Sequence, residues 1–136
     1  MRLVLDASVT LCWCFKDESH PIAERAAALM LEDSSAIMPA IWWFEIRNAM
    51  TTGLRRKRVT DQAVGSFLSD LLLLRIALDP IPADAELFAL AERHRLTFYD
   101  AAYLELARRE DCPLATLDDA LARAAFRRKA RRAARP

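Results

Sequence analysis

Four acidic residues stand out by their settings: Asp6, Glu45, Asp100 and Asp118. Asp6 directly follows the apolar run Leu3-Val4-Leu5. Asp118 follows Leu114-Ala115-Thr116 after one more residue. Glu45 lies inside Trp42-Trp43-Phe44-Glu45-Ile46, and Asp100 sits between Phe98-Tyr99 and two alanines. A carboxylate among large apolar side chains is costly unless it is paired or bound to a cation. Each acid also has an ordinary alternative. Asp6, Asp100 or Asp118 can serve a helix start, where the helix dipole favours negative charge. Glu45 can pair with Arg47 or another base. Brought to one place, the four would repel each other and demand a divalent ion. An all-oxygen site suits hard ions such as Mg²⁺ or Mn²⁺. Two such ions can activate a water and stabilise the leaving oxygen in phosphodiester hydrolysis.

Composition removes the competing chemistries. The chain has 136 residues and fits one domain. Only Gly53 and Gly65 are glycines. A Walker A loop or a dinucleotide fingerprint needs several within one turn, so both are excluded. Cys12, Cys14 and Cys112 lack zinc-ligand spacing, and only His20 and His94 could join them. An odd cysteine count without a scaffold pattern fits a reduced, cytoplasmic setting. No signal peptide is legible, and no run of ~18 apolar residues offers a membrane span. The net charge of +1 hides a split: seven of the 20 basic residues lie from Arg123 onward, where there is no acid. The preceding part keeps 13 bases against 19 acids, a net of −6.

The elements that must position the acids follow from the apolar pattern. Short apolar runs at Arg2–Leu5, Ala36–Met38, Arg75–Leu78 and Pro113–Thr116 read as strands. Helical stretches separate them: Ser19–Leu31 with Ser19 as N-cap, Ala40 to about Leu54, Thr60 to about Leu73, Ala83–His94 and Tyr99–Arg109. Asp118 or Asp119 opens a last helix. Strands joined through helices predict crossover connections and a parallel sheet. In such a sheet, ligands gather at the carboxyl ends of the strands. All four acids are expected at that end.

Four segments, in order, resemble the PIN-domain ribonucleases, and within them the VapC-type toxins of toxin–antitoxin pairs. They are Val4-Leu5-Asp6-Ala7-Ser8, Trp42-Trp43-Phe44-Glu45-Ile46-Arg47-Asn48-Ala49, the stretch from Leu96 to Ala107 that holds Phe98-Tyr99-Asp100-Ala101-Ala102, and Leu114-Ala115-Thr116-Leu117-Asp118-Asp119-Ala120-Leu121. The resemblance implies an α/β fold, a three-layer α/β/α sandwich around a parallel sheet. It implies Mg²⁺- or Mn²⁺-dependent RNA hydrolysis, with Asp6, Glu45, Asp100 and Asp118 as the catalytic and metal-binding acids. Ser8 and Thr116 would support them by hydrogen bonds, and Asp119 would be an extra outer acid. A metal-activated water would attack phosphorus, leaving a 5′-phosphate and a 3′-hydroxyl. A cognate antitoxin and a homodimer are the implied partners.

One departure from the pattern concerns the end of the chain. Family members usually follow the last helix with a final edge strand. Here the helix runs into Phe126-Arg127-Arg128-Lys129, so four strands are expected rather than five. A nuclease domain over residues 1–126 and a basic tail over 127–136 are the expected divisions. Arg55, Arg56, Lys57 and Arg58, with Arg127, Arg128 and Lys129, are candidate contacts to an RNA backbone, or else solvated surface. Trp42, Trp43, Phe44 and Leu71-Leu72-Leu73-Leu74 read either as core or as a partner face.

Three rival readings remain. A dehalogenase-type, Mg²⁺-dependent phosphatase needs a second Asp where Ser8 stands. A receiver domain needs an acidic pair at the first strand and a phosphoacceptor at Asp79. A catalytically inactive PIN-like module that binds RNA or protein would have no need of four intact acids.

Overall fold

The protein was analysed as a computed structural model that describes the backbone of residues 1–133 and the side chains of residues 1–126. Strand β1 (Arg2–Leu5) lies inside the sheet because Leu3, Val4 and Leu5 are all buried, so both its faces are covered. It is followed by α1 (Ala7–Cys12), a single 3₁₀ turn at Lys16–Glu18, α2 (Pro21–Leu31) and β2 (Ser35–Pro39). Then come α3 (Ala40–Arg55), α4 (Asp61–Leu72), β3 (Ile76–Asp79), α5 (Asp84–His94) and α6 (Phe98–Arg109). The described chain closes with β4 (Leu114–Ala115) and α7 (Asp119–Ala133).

The strands form one parallel sheet in the order β3-β2-β1-β4. Arg2 pairs with Ser35, Ala36 with Ile76, and Leu5 with Ala115. The helices that connect the strands flank this sheet and give the expected α/β/α arrangement. Strand order runs outward from β1 to β3 on one side, then jumps to β4 on the other. The reversal between β1 and β4 opens a crevice at their carboxyl ends, the place where an open α/β sheet receives ligands. Among the described residues there is no fifth strand.

Several boundaries differ from the sequence reading. The cap of α2 is His20, not Ser19: Ile22 N–H donates to His20 Nδ1 at 3.1 Å, and Pro21 takes the first helical position. The Ser19 hydroxyl instead donates to Glu24 at 2.6 Å. Helix α1 was not legible as an element of its own, because six residues are too few to show a 3.6 period. Strand β4 pairs over two residues rather than four. Helix α6 begins at Phe98, one residue earlier than expected, because the Thr97 hydroxyl accepts from Asp100 N–H at 3.1 Å.

Trp42 and Leu71 belong to the core, whereas Trp43, Phe44, Leu72 and Leu73 are exposed. The Trp42 indole donates to the Thr10 hydroxyl at 3.1 Å, so its one polar atom is satisfied.

Gly53 has a specific packing role. A Cβ there would lie 3.0 Å from the Phe15 ring and 3.1 Å from Val59. Phe15 is buried, and Arg58 covers its ring at 4.6 Å while pairing with Asp17 and Glu18 at 3.1 and 3.0 Å. Overpacking typically costs 1–3 kcal/mol. Gly53→Ala is therefore expected to destabilise the fold by roughly 1–3 kcal/mol. Thermal unfolding checks this, and an unchanged Tm would mean that Phe15 yields without cost.

Candidate metal centre

Asp6 ends β1 at the mouth of the β1/β4 crevice and is buried. Two hydroxyls hold its carboxylate. Ser8 donates to Oδ2 at 2.9 Å, and Thr116 donates to the same oxygen at 2.7 Å. Each hydroxyl also accepts from the chain after β4: Leu117 N–H donates to Ser8 at 3.0 Å, and Asp118 N–H donates to Thr116 at 3.0 Å. The two residues thus bind the end of β4 to the end of β1. Asp6 Oδ1 accepts no hydrogen bond among the described residues, so it is available to a ligand.

Asp118 is exposed at the start of α7, and its Oδ1 accepts from Leu121 N–H at 2.8 Å. It therefore caps the last helix. This occupies one oxygen and leaves the other without a hydrogen bond among the described residues.

Glu45 is half-buried in the second turn of α3, whose core face carries Trp42, Ile46 and Met50. It does not pair with Arg47, which donates to Trp43 O at 3.2 Å and covers the Trp43 ring at 3.9 Å. Its partner is Tyr103, whose phenol donates to Oε1 at 2.8 Å. That phenol oxygen in turn accepts from Ala7 N–H at 3.3 Å. Tyr103 is fully buried, and a buried phenol needs a partner. It therefore ties α6 to both α3 and the residue after Asp6. Tyr103 lies within the Leu96–Ala107 stretch, and nothing local in the sequence assigns it a role. Its position one turn after Asp100 puts the two on one helix face and was the available signal.

Asp100 stands in the first turn of α6, half-buried, beside the Thr97 cap. The electrostatics join the four acids. Burial raises the Glu45 carboxyl above its usual range; the Tyr103 hydrogen bond opposes this, and the charges of Asp6 and Asp100 add to it. Burial also raises Asp100, reinforced by the charges of Asp6 and Asp118 and opposed by the Thr97 hydrogen bond. Burial first, then the charges of Glu45 and Asp6, hold the Tyr103 phenol firmly protonated, as its donor role requires.

Among the described residues, no three acid, imidazole or thiol side chains already form a closed cage for an ion. The donors are all oxygens, and their mutual repulsion is what a cation would relieve, so the residues fit a hard divalent ion.

Other sequence candidates fall differently. Asp119 is exposed in the first turn of α7. Arg55, Arg56 and Lys57 are exposed at the end of α3, whereas Arg58 is committed to Asp17 and Glu18. The side chains of Arg127, Arg128 and Lys129 lie outside those described. Asp79, the site a receiver domain would phosphorylate, is buried and gripped by both ends of the Arg109 guanidinium at 2.6 and 3.2 Å.

Comparison with known proteins agrees with this architecture. Residues 3–127 match the PIN domain family model. Ribonuclease VapC3 of Pyrobaculum aerophilum is 33% identical over 126 residues, covering 90% of this chain and 93% of the relative. The crystal structure of PAE2754 from Pyrobaculum aerophilum superposes with a TM-score of 0.67 at 19% identity, covering 99% of this chain and 97% of that one. VapBC2 from Rickettsia felis, solved bound to a DNA fragment from its promoter, gives a TM-score of 0.63 at 18% identity, covering 91% and 93%. The two structures share the fold seen here. On the family match and the VapC3 relative, the chain belongs to the PIN-domain family, among its VapC-type members.

Proposed function

We propose that this chain is a divalent-metal-dependent endoribonuclease and the toxin of a toxin–antitoxin pair, acting in the cytoplasm. The observation that carries the reading is the Asp6 carboxylate, held by Ser8 and Thr116 at the β1/β4 crevice within electrostatic reach of Glu45 and Asp100. The relative named Ribonuclease VapC3 supports the activity, and the VapBC2 structure supports an antitoxin as partner. The three described cysteines are free, which suits a reducing compartment. Among the described residues, no helix is long and apolar enough to cross a membrane.

Asp6, Glu45, Asp100 and Asp118 would hold Mg²⁺ or Mn²⁺. When bound, such an ion supplies Lewis acidity toward a phosphodiester oxygen and lowers the pKa of a water. The chain's own part is positioning. Ser8 and Thr116 fix one Asp6 oxygen and leave the other open. Tyr103 fixes Glu45, and the Thr97 cap sets Asp100 at a helix start. Leu72, Leu73 and Ile81, all strongly exposed near β3, supply an apolar face for a second copy or the antitoxin. The test is cleavage of small structured RNAs by wild type and Asp100→Asn, with Mg²⁺, with Mn²⁺ and with EDTA. Cleavage that survives EDTA, or equal cleavage by the variant, would refute the reading.

Two predictions concern the ion. Thr116→Val removes a donor to Asp6 and an acceptor for Asp118 N–H. Loss of such a supporting group costs about 10- to 100-fold in metal affinity. A Mn²⁺ titration of the variant reads this directly, and an unchanged affinity would remove Thr116 from the site.

The second prediction is a pH dependence. Glu45 and Asp100 have folded-state pKa values raised by burial and by neighbouring carboxylates, Asp6 and Asp100 for Glu45, Asp6 and Asp118 for Asp100. Their contribution to stability is complete below the ordinary carboxylate range and is lost as pH rises through the raised values. At neutral pH the metal-free cluster therefore costs stability. Glu45→Gln keeps an acceptor for Tyr103 and removes a charge, so it should raise Tm in EDTA. Saturation of wild type with Mn²⁺ at about 100 times Kd should stabilise it by about 2.7 kcal/mol, and the variant by less. Protons compete with the ion, so Mn²⁺ affinity should fall as pH drops, beginning above the usual carboxylate range. A lower Tm for Glu45→Gln in EDTA would contradict this electrostatic picture.

A further inference from the structure

Strand β4 ends the sheet on the side opposite β3, and its outer edge is open. Pro113 O and Ala115 O accept from Val4 N–H and Asp6 N–H, both at 2.9 Å, so these carbonyls face β1. The alternation of a parallel ladder then turns the N–H and C=O of Leu114 outward. Among the described residues neither group has a hydrogen-bond partner. An unpaired edge of this kind is a template for another strand. Beside it runs a groove of about 630 Å³, walled by α2, α6 and α7. Leu104, Ala107, Ala122 and Ala125 give it an apolar lining in which small side chains leave room. At its rim, Ile22 and Phe126 keep 42% and 70% of their surfaces in water. Exposed apolar surface gathered in one place marks an interaction site.

Charge indicates what the groove receives. Helix α7 starts just past the carboxyl end of β4 and runs back beside it, because Ala122, Ala125 and Phe126 line the same groove as Pro113 and Leu114. Its closing residues, 127–133, therefore extend past the amino end of β4, and that stretch of sequence holds five bases and no acid. This end of the groove favours a segment that carries acids. We propose that the groove takes an extended segment of a partner protein, which adds a strand to the sheet at β4. Main-chain bonds to Leu114 hold the segment, and every second side chain enters the groove. Its acidic residues meet the basic end of α7. The partner chemistry is thus an alternating apolar segment with acids at one end. An RNA strand suits the bases but neither the apolar lining nor the open strand edge. The exposed Leu72, Leu73 and Ile81 lie by β3, at the opposite edge of the sheet, and form a different surface. Docking here needs no nuclease activity, so it stands or falls apart from the ribonuclease reading.

Amide exchange and peptide titration of the full chain test this. In the free protein the Leu114 N–H should exchange quickly. The first probe is a short peptide of alternating valine and threonine that ends in glutamates. It should bind, slow exchange at Leu114, and bind more weakly as salt rises. The same peptide N-methylated along its backbone should bind about tenfold more weakly, because the main-chain bonds are lost. Lysines in place of its glutamates should weaken binding at low salt. Phe126→Ala, which trims an exposed ring, should weaken the first peptide about tenfold, and Ala125→Trp, which fills the groove, should abolish its binding. Leu72→Ala, at the other edge, should leave binding unchanged. Failure of the first peptide to bind, or equal binding of the N-methylated or lysine form, overturns the proposal. So does slow exchange at Leu114 in the free protein. Sedimentation then says what covers the edge: a second copy if it depends on concentration, the chain itself if it does not. Protection of Leu114 by a short RNA and not by the peptide would make the groove a nucleic-acid surface, and overturns the proposal too.

Discussion

Asp6→Asn is expected to lower RNA cleavage by about 10³-fold while the fold survives. The magnitude follows from what one preorganised charge is worth in a water-poor site, about 10²- to 10³-fold, with the Asp6 charge acting on both Glu45 and Asp100. Survival of the fold follows from the neighbours. Ser8 and Thr116 both donate to one Asp6 oxygen, and an asparagine carbonyl can take its place. Asn keeps the volume of a buried side chain and removes a charge that raises both Glu45 and Asp100. The variant should therefore unfold no earlier than wild type in EDTA, and should lose most of the stabilisation that Mn²⁺ gives. A variant that folds, binds Mn²⁺ like wild type and still cleaves would displace Asp6 from the centre of the site.

Arg109→Ala should cause the largest loss of stability of any single substitution considered. Arg109 Nη2 donates to Asp79 at 2.6 Å, and Nε donates to Glu105 at 2.8 Å. Second contacts at 3.2 and 3.1 Å make both pairs bidentate. The side chains of Asp79 and Glu105 are only 7% and 9% exposed, so neither can fall back on water. Those two carboxylates hold the guanidinium firmly charged, with Glu105 the stronger influence. Breaking a buried pair typically costs 3–5 kcal/mol. Arg109 itself is 41% exposed, and solvent screening lowers the figure to about 2–3 kcal/mol. For a domain of this size the Tm should fall by roughly 10 °C. Arg109→Lys should recover only part, since an ammonium cannot serve two carboxylates in a planar fork. A loss of only a degree or two would mean that Asp79 and Glu105 find other partners.

Parts of this molecule are written locally in the chain, and those parts were legible. Asp6 follows a strand of three buried apolar residues, and Asp118 follows the run that becomes β4. A strand-then-acid pattern places a carboxylate at a sheet end without knowledge of anything else. Glu45 was conspicuous because a charge sat among aromatics. Ser8 and Thr116 were given supporting roles by resemblance, and the structure places both on Asp6 Oδ2. What was not legible depends on partners far apart in sequence. Tyr103 meets Glu45 across 58 residues, and Arg109 meets Asp79 across 30. No periodicity encodes such pairs. Ser19 was preferred as a cap on residue type, but Pro21 fixed the first helical position and His20 took the role. Helix α1 was hidden by its length, and β4 is shorter than the four-residue estimate because only its middle two residues pair in register with β1.

The central claim is that these carboxylates direct water against phosphorus. The hydrogen-bond partners of the four acids, among the described residues, are hydroxyls, a phenol and a backbone amide, with no imidazole to activate a ribose 2′-hydroxyl. End-group analysis of RNA cut in Mn²⁺ distinguishes the two routes most directly. The account predicts fragments with 5′-phosphate and 3′-hydroxyl ends that disappear in EDTA. Fragments ending in 2′,3′-cyclic phosphate, formed with or without the metal, would contradict it.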